Sequence, residues 1–148
     1  MKFIDITYDN WKDVIFLTTN KSDMPTLCEE FIASNALSIV QAFYEKTWIT
    51  KAIEHNEILV GFAMYGFNKD EDFYELCRIM IDKRFQGNGY GSKAIKMIID
   101  EMKQIYNCKE IYLSTDPDNK NAIRLYKKLG FNSTGRVVDN EDLYCYTV

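Results

Sequence analysis

The segment RFQGNGYGSK, residues Arg84–Lys93, contains three of the seven glycines of the chain at alternating positions, Gly87, Gly89 and Gly91. Glycine is costly in regular structure and is favoured where φ is positive or where another group approaches the backbone closely. Three explanations fit this spacing: a bound phosphate, a closely packed helix, or a tight turn. The sequence on either side of the glycines helps to choose among them.

A predicted strand precedes the glycines and a predicted helix follows them. Phe73–Asp82 is mostly apolar, and from Gly89 to Tyr106 the apolar residues recur at helical spacing. A helix N-terminus presents unpaired N–H groups and the positive end of the macrodipole, which together favour an anion. The alternative is a tight turn in which Gly91 and Ala94 allow the helix to pack closely on the sheet. The pattern G-x-G-x-G matches neither a Walker loop nor the dinucleotide fingerprint.

The remaining sequence predicts strands and helices in the order β-α-α-β-β-β-α-β-α-β-β. The predicted strands are Phe3–Thr7, Thr47–Glu54, Glu57–Phe67, Phe73–Asp82, Glu110–Thr115, Phe131–Val138 and Asp142–Thr147. The predicted helices are Asn10–Thr18 capped by Asp9, Thr26–Tyr44 with an interruption at Ser34-Asn35, the helix after Gly89, and a helix from Asn119 or Asn121 to Leu129 with Gly130 as C-cap. This order predicts a mixed sheet covered by helices, and it excludes a doubly wound Rossmann unit.

The composition limits the classes of function. A chain of 148 residues with 47% hydrophobic and 27% charged residues predicts one globular domain, residues 1–148. The net charge of −4 disfavours nucleic-acid binding. One histidine, His55, and four scattered cysteines give no zinc pattern, so no metal is expected. Because no apolar stretch resembles a signal peptide or a membrane span, we expect a cytoplasmic protein with free thiols and no membrane partner.

Two motifs resemble the signatures of one enzyme family. Gln86–Gly91 resembles the Q/R-x-x-G-x-G/A acetyl-CoA signature of the GCN5-related N-acetyltransferases (GNAT). NKNAIRLYKKLGF, residues Asn119–Phe131, resembles the second signature of that family, N-x-x-A-x-x-x-Y-x-x-x-G-F, at every fixed position. More narrowly, GFAMYG (61–66) and YNCKEIYLS (106–114) are similar to bacterial spermine/spermidine (diamine) acetyltransferases.

The resemblance implies a fold and a donor site. The fold is α+β with α/β/α layers, a mixed, mostly antiparallel sheet of six to seven strands, and about four helices. The donor is acetyl-CoA, with its pantetheine along the backbone of Ile79, Met80 and Ile81. Its pyrophosphate lies on the amides of Gln86, Gly87, Asn88, Gly89, Tyr90, Gly91 and Ser92. Lys93 adds a charge near phosphate or is solvated.

The second motif implies a catalytic acid. By resemblance, Tyr126 is the general acid that protonates the departing thiolate; its position alone also fits a core aromatic. Asn119 orients the pantetheine, holds the loop, or only caps the helix.

The sequence offers one substitute candidate for the proton acceptor. In related polyamine enzymes an acidic residue occurs on the central strand at the position that aligns with Cys77, so this chain departs from the pattern. Glu75, two residues earlier on the same strand face, is the substitute candidate; a solvated glutamate at the strand end is the alternative. Acidic and aromatic residues that could receive a polycation occur at Asp70–Tyr74 and at Glu29-Glu30.

The expected reaction is direct acetyl transfer from acetyl-CoA to a primary amine of a small molecule, expected to be a polyamine. No acyl-enzyme is expected, because Cys77 has no evident partner base. Other acceptors stay open: a protein N-terminus, an amino acid or an aminoglycoside. A non-catalytic acyl-CoA sensor is the alternative outside the enzyme class, and a homodimer is compatible with the fold.

Overall fold

The computed structural model describes residues 1–20 and 34–148 of the chain. Within these ranges, the elements follow the predicted order. They are β1 (Lys2–Ile4), α1 (Trp11–Ile15), α2 (Asn35–Tyr44), β2 (Trp48–His55), β3 (Ile58–Asn68), β4 (Phe73–Ile81), α3 (Tyr90–Tyr106), β5 (Glu110–Thr115), α4 (Lys120–Lys128), β6 (Asn132–Val138) and β7 (Glu141–Thr147). None of the helices in the described ranges is both long and apolar enough to cross a bilayer.

The strands form one seven-stranded sheet in the order β1-β2-β3-β4-β5-β7-β6. Neighbouring strands are antiparallel except β4 and β5, which are parallel. The predicted mixed, mostly antiparallel sheet is therefore confirmed, with the larger of the two expected strand numbers.

Helices cover both faces of the sheet. On one face α3 and α4 enclose a core that includes Ile95, Ile98 and Met102, whose helical spacing places them on one side of α3. On the other face α1 and α2 pack against Phe62 and Met64 of β3. The layers are therefore α/β/α, as the sequence predicted.

The helix caps differ in part from the prediction. Asp9 is not a cap: α1 begins after Asn10, whose side chain accepts a hydrogen bond from Thr7 N (2.8 Å) and donates one to Asp5 O (2.9 Å). These bonds stabilise the turn before the helix and leave the helix itself without a side-chain cap. Ser34 caps α2, so a helix starts at the predicted interruption. Residues 26–33 of the predicted helix lie outside the described residues.

The turn between the last two strands is shorter than predicted. Only Asp139 and Asn140 connect β6 to β7, and both have positive φ (50° and 67°). Two left-handed residues suit a two-residue hairpin, and Asp and Asn tolerate that conformation. As a result Glu141, predicted to lie in a turn, is the first residue of β7.

Strands β4 and β5 separate soon after they meet. They pair at one position, Glu75 with Tyr112. Beyond that pair the backbone of Ile79–Ile81 has β3 on one side and an opening on the other. An open strand edge presents N–H and C=O groups to any ligand that enters. The separation therefore creates a place for an extended ligand in the middle of the sheet.

A buried carboxylate fixes the chain between β4 and the glycine segment. Asp82, 2% exposed, accepts hydrogen bonds from Thr18 N (3.1 Å), Arg84 N (2.9 Å) and Arg84 Nε (2.8 Å). Burial opposes ionisation, but these bonds outweigh it and hold the pKa of Asp82 below its usual range. Asp82 thus joins the segment that follows α1 to the start of the glycine segment.

Replacing Asp82 by Asn is expected to destabilise the fold. Asp82→Asn removes the charge and turns an amide towards donors, which should cost on the order of 2 kcal/mol at neutral pH. A carboxyl with a lowered pKa contributes stability above its unfolded pKa of about 3.9 and loses it as the pH falls through the folded value. The difference in Tm from wild type should therefore shrink on acidification below about pH 4. A difference independent of pH would contradict this account.

Candidate active site

A cavity of about 410 Å³ occupies the opening beside β4. Its walls are the end of β4, the glycine segment, the first turn of α3, and one side of α4. Of the residues predicted to bind the donor, all except Asn88 line it: Ile79, Met80, Ile81, Gln86, Gly87, Gly89, Tyr90, Gly91, Ser92, Asn119 and Tyr126. Two motifs about 30 residues apart in sequence therefore meet at one cavity.

Backbone conformation explains two of the glycines. Gly87 and Gly89 have φ of +83° and +75°, and Gly89 is the residue before α3. A Cβ built on either would meet nothing within 4 Å, so the requirement is conformational rather than steric. Gln86 Nε2 donates a hydrogen bond to Ile81 O (3.0 Å), and Asn88 Nδ2 donates to Phe85 O (3.0 Å). Asn88 therefore shapes the loop from outside the cavity.

Close helix packing does not explain Gly91. A Cβ at Gly91 would lie 3.7 Å from Leu125 Cδ2 and 3.9 Å from Ile81 Cγ1, which are ordinary van der Waals distances. Both contacts belong to cavity-lining residues, so a methyl group there would enter the cavity. The packing alternative raised for Gly91 is therefore not supported, and free space in the cavity is the better explanation.

Substituting Gly91 separates stability from ligand binding. Gly91→Ala should leave Tm unchanged or slightly higher, because Ala has a better helix propensity than Gly by up to about 1 kcal/mol. Because the acetyl-CoA signature accepts Gly or Ala at this position, Gly91→Ala should change the KM for acetyl-CoA less than about threefold, whereas the larger side chain of Gly91→Leu should raise it about fivefold or more by narrowing the cavity. Thermal melts and initial rates on the same preparation test both expectations. A large loss of Tm in Gly91→Ala would restore the packing explanation.

Tyr126 contributes a phenol to the cavity wall, as Tyr90 does. It lies on α4, is half-buried, and packs near Phe131 with ring centroids 6.0 Å apart. Burial, and secondarily the charge of Glu141, raises the pKa of Tyr126 to about 12. The phenol is therefore protonated at any physiological pH and can act as a proton donor. Asn119 accepts a hydrogen bond from Ala122 N (3.2 Å). The N-cap of α4 is therefore Asn119 and not Asn121.

Glu75 does not line the cavity. It lies on β4, is 8% exposed, and accepts a hydrogen bond from Asn68 Nδ2 (2.8 Å). Burial raises its pKa, although Asn68 and Arg78 act in the opposite direction. The solvated strand-end alternative is therefore wrong.

The neighbouring thiol is not activated. Burial raises the pKa of Cys77 to about 12, so it is not a thiolate at neutral pH.

Several residues suggested for substrate recognition instead contact other residues of the same chain. Phe73 is buried and stacks on Tyr112 with centroids 4.5 Å apart, and Tyr74 packs on the opposite face against Tyr106. Glu71 forms an ion pair with Arg136 (3.1 Å). Asp70 and Asp72 are exposed, and Glu29 and Glu30 lie outside the described residues. The predicted aromatic wall at Phe73-Tyr74 is therefore part of the core.

Sequence reasoning missed Glu141. Like Glu75, this half-buried carboxylate does not line the cavity; it accepts a hydrogen bond from Ser114 Oγ (2.6 Å), two residues beyond the one position at which β5 pairs with β4. The alternation of Glu141, Leu143 and Cys145 would have placed it on a strand face, but the run of polar residues before it predicted a longer turn. No group of three or more His, Cys, Asp or Glu residues suited to a metal occurs in the part of the chain that the structure describes.

Comparison with known proteins gives matches over much of the chain. The model of the acetyltransferase (GNAT) family matches residues 12–131. The chain is 46% identical over 85 residues to the spermine/spermidine N(1)-acetyltransferase of Bacillus subtilis, covering 53% of this chain and 56% of that protein. It is 34% identical over 100 residues to an N-alpha-acetyltransferase of Sulfurisphaera tokodaii, covering 58% of this chain and 60% of that protein. The matches thus span little more than half the length of these relatives.

Solved structures share the architecture. The spermidine N-acetyltransferase of Vibrio cholerae in complex with CoA and spermine superposes with a TM-score of 0.71 at 18% identity, covering 97% of this chain and 92% of that one. At this identity the likeness shows the fold alone. The family model, however, covers most of the chain and includes both motifs that line the cavity. The chain belongs to the acetyltransferase (GNAT) family.

Proposed function

We propose that this protein transfers an acetyl group from acetyl-CoA directly to a primary amine of a polyamine such as spermidine or spermine. The observation that carries the proposal is a single cavity that joins an open strand edge, a glycine loop at a helix N-terminus, and a protonated tyrosine. These are the groups that an extended thioester with a pyrophosphate would need. Residues 1–148 act as one catalytic domain in this proposal.

The cavity fits the donor by its chemistry. The N-terminal amides of α3 and of the loop before it suit a pyrophosphate, because they are unpaired in the helix and lie at its positive end. Positive φ at Gly87 and Gly89 turns this backbone into a cradle. The open edge of Ile79–Ile81 can pair with the amide groups of a pantetheine as an added strand would. Acetyl-CoA supplies an activated acetyl group to this site.

Groups of this chain then assist the transfer of the acetyl group. A backbone N–H of Ile79–Ile81 can polarise the carbonyl, in the manner of an oxyanion hole. Tyr126 donates its proton to the departing sulfur. Cys77 takes no covalent part, because burial keeps it a thiol, and this supports direct transfer in a ternary complex.

Two observations support a polyamine as the acceptor. The relative with 46% identity is a spermine/spermidine N(1)-acetyltransferase. On the sheet face opposite α3 and α4, Glu141 places a half-buried carboxylate near the opening between β4 and β5. Carboxylates attract a substrate whose amines, with a pKa near 10.4, are cationic at neutral pH. An N-terminal amine of a protein is the second candidate, favoured by the match to an N-alpha-acetyltransferase.

A panel of amines tests the proposal. Spermidine, spermine and putrescine would be compared with a peptide bearing a free N-terminus, an amino acid and an aminoglycoside, using thiol release and mass detection of the product. We expect kcat/KM for spermidine or spermine to exceed that for the peptide by at least about tenfold. Preference for the peptide would favour the second candidate. Tight acetyl-CoA binding without acetylation of any amine would favour a sensor.

The cellular context is part of the proposal. Three cysteines in the described ranges, Cys77, Cys108 and Cys145, are free thiols, which suits the reducing cytoplasm.

The oligomeric state is a separate prediction. A homodimer is compatible with the exposed apolar side chains on α2, such as Val40 and Phe43. Sedimentation at several concentrations tests it, and a monomer throughout would contradict it.

A further inference from the structure

We propose that Glu141, rather than Glu75, accepts the proton that the acceptor ammonium group must lose. This assignment rests on the proposed acetyl transfer and concerns the same site. It identifies the proton acceptor that the sequence alone assigned to Glu75. It also gives a role to a residue that the sequence placed in a turn.

The sheet register places Glu141 at the opening between β4 and β5. Glu75 lies opposite Tyr112, and residues two positions apart on a strand share a face. Ser114 is therefore on the same face as Glu75 and about 7 Å nearer the cavity, at roughly 3.3 Å per residue. Glu141 reaches this point from β7, where its Oε2 accepts the 2.6 Å hydrogen bond from Ser114 Oγ.

The surroundings of the two carboxylates suit different tasks. Glu75 is 8% exposed and already accepts a hydrogen bond from Asn68, so it has little access to water. Glu141 is half-buried, and therefore contacts both the protein interior and solvent. A group that accepts a proton in each turnover must pass it on to water. Glu141 can do so, and Ser114 is its positioning residue.

Groups on both sides of the opening respond to the charge of Glu141. Burial is the main reason that the pKa of Tyr126 is raised, and the carboxylate of Glu141 adds to it. The same carboxylate adds to the effect of burial on the pKa of Cys77 and of Glu75. Glu141 therefore lies within electrostatic reach of the proton donor on α4 and of the β4 face.

Other charged groups around the opening have partners of their own. Arg78 Nη1 donates to Gln41 Oε1 of α2 (3.0 Å), and Arg136 of β6 pairs with Glu71 (3.1 Å). The other titratable side chains near this face include Glu45, Cys77, Glu110, Tyr112 and Cys145. Within residues 1–20 and 34–148, Glu141 thus has a hydroxyl rather than a cation as its hydrogen-bond partner.

Acetyl transfer requires two groups that accept protons from the acceptor nitrogen. The ammonium nitrogen loses two protons as it becomes an amide nitrogen, while a C–N bond forms and the C–S bond breaks. Glu141 takes the first proton and releases it to water, which leaves the nitrogen free to attack. Tyr126 gives its proton to the sulfur and regains one from the same nitrogen. The net products are the acetylated amine, the free thiol and one proton.

The test compares pH profiles of isosteric variants. For wild type, Glu141→Gln and Glu75→Gln, kcat/KM for spermidine would be measured from about pH 7 to about pH 9.5. Glu141→Gln keeps an acceptor for Ser114, and should lower kcat/KM at least about tenfold near pH 7. Its deficit should shrink at least about tenfold towards pH 9.5, because free amine then forms without a protein base. Glu75→Gln should lose less than about threefold at every pH.

Asp142→Asn is the matched control. Asp142 is the next residue on β7 and lies opposite Thr115; it points to the other face of the sheet, away from Ser114, and does not line the cavity, so its variant should behave as wild type. Wild-type activity in Glu141→Gln, or a deficit that does not change with pH, would overturn the assignment. Recovery at high pH in Glu75→Gln instead would return the role to Glu75. If wild type acetylated no amine, the proposed function itself would fail, and this assignment with it.

Discussion

Replacing Tyr126 by Phe is expected to lower kcat at least about tenfold and to leave acetyl-CoA affinity almost unchanged. The substitution removes one hydroxyl from a half-buried side chain and preserves the ring that packs near Phe131. Donor binding should survive, because in the proposed binding mode acetyl-CoA contacts the backbone of Ile79–Ile81 and of the glycine loop. The loss should therefore appear in turnover rather than in KM for the donor.

The pKa of Tyr126 gives this prediction a second test. Because burial raises that pKa to about 12, the phenol stays protonated through neutral and moderately alkaline pH. Wild-type activity should show no alkaline decline from loss of this proton below about pH 11. Tyr106→Phe is the control: Tyr106, on α3, packs on Tyr74 and lies outside the cavity, so its variant should retain activity. Unchanged kcat in Tyr126→Phe would exclude Tyr126 as the acid.

Replacing Gly89 by Ala is expected to weaken acetyl-CoA binding at least about tenfold. Gly89 has φ of +75° immediately before α3, and an alanine there costs about 1–2 kcal/mol. The loop can relieve this strain only by turning its amides away from the cradle, which removes donors to the pyrophosphate. Isothermal titration with acetyl-CoA measures the affinity, while kcat at saturating donor should change little.

Gly135 provides a control with the same backbone strain. Its φ is also +75°, a Cβ added there would meet nothing within 4 Å, and it belongs to the exposed strand β6 away from the cavity. Gly135→Ala should therefore lose a similar amount of stability and keep its acetyl-CoA affinity. Equal loss of affinity in both variants would show that general destabilisation, and not the cradle, explains the effect at Gly89.

Local sequence patterns were sufficient to predict the helices and strands whose formation depends on nearby residues. The helical spacing of apolar residues in α3 and the largely apolar runs of β2, β3 and β4 predicted their order and nearly their bounds. The glycine segment was placed correctly between a strand and a helix. The sequence alone did not separate the reasons for the three glycines. Positive φ explains Gly87 and Gly89, whereas the free volume of the cavity explains Gly91.

Features that depend on distant residues could not be predicted in this way. Glu75 and Glu141 are 66 positions apart, and only the register of β4, β5 and β7 brings them to one face. The burial of Glu75 depends equally on how the strands separate, which no local pattern encodes. Likewise, Asp82 appears in sequence as an ordinary strand end, and its bond to Thr18 N spans 64 positions.

Direct acetyl transfer to a polyamine can be tested by following an isotopically labelled acetyl group by mass spectrometry. The protein would be mixed with labelled acetyl-CoA and spermidine, and both the small molecules and the intact chain would be analysed. Direct transfer to the polyamine predicts labelled acetylspermidine in amounts equal to the thiol released, with no label on the protein at any time. Absence of labelled spermidine, or label accumulating on the chain before transfer, would contradict it.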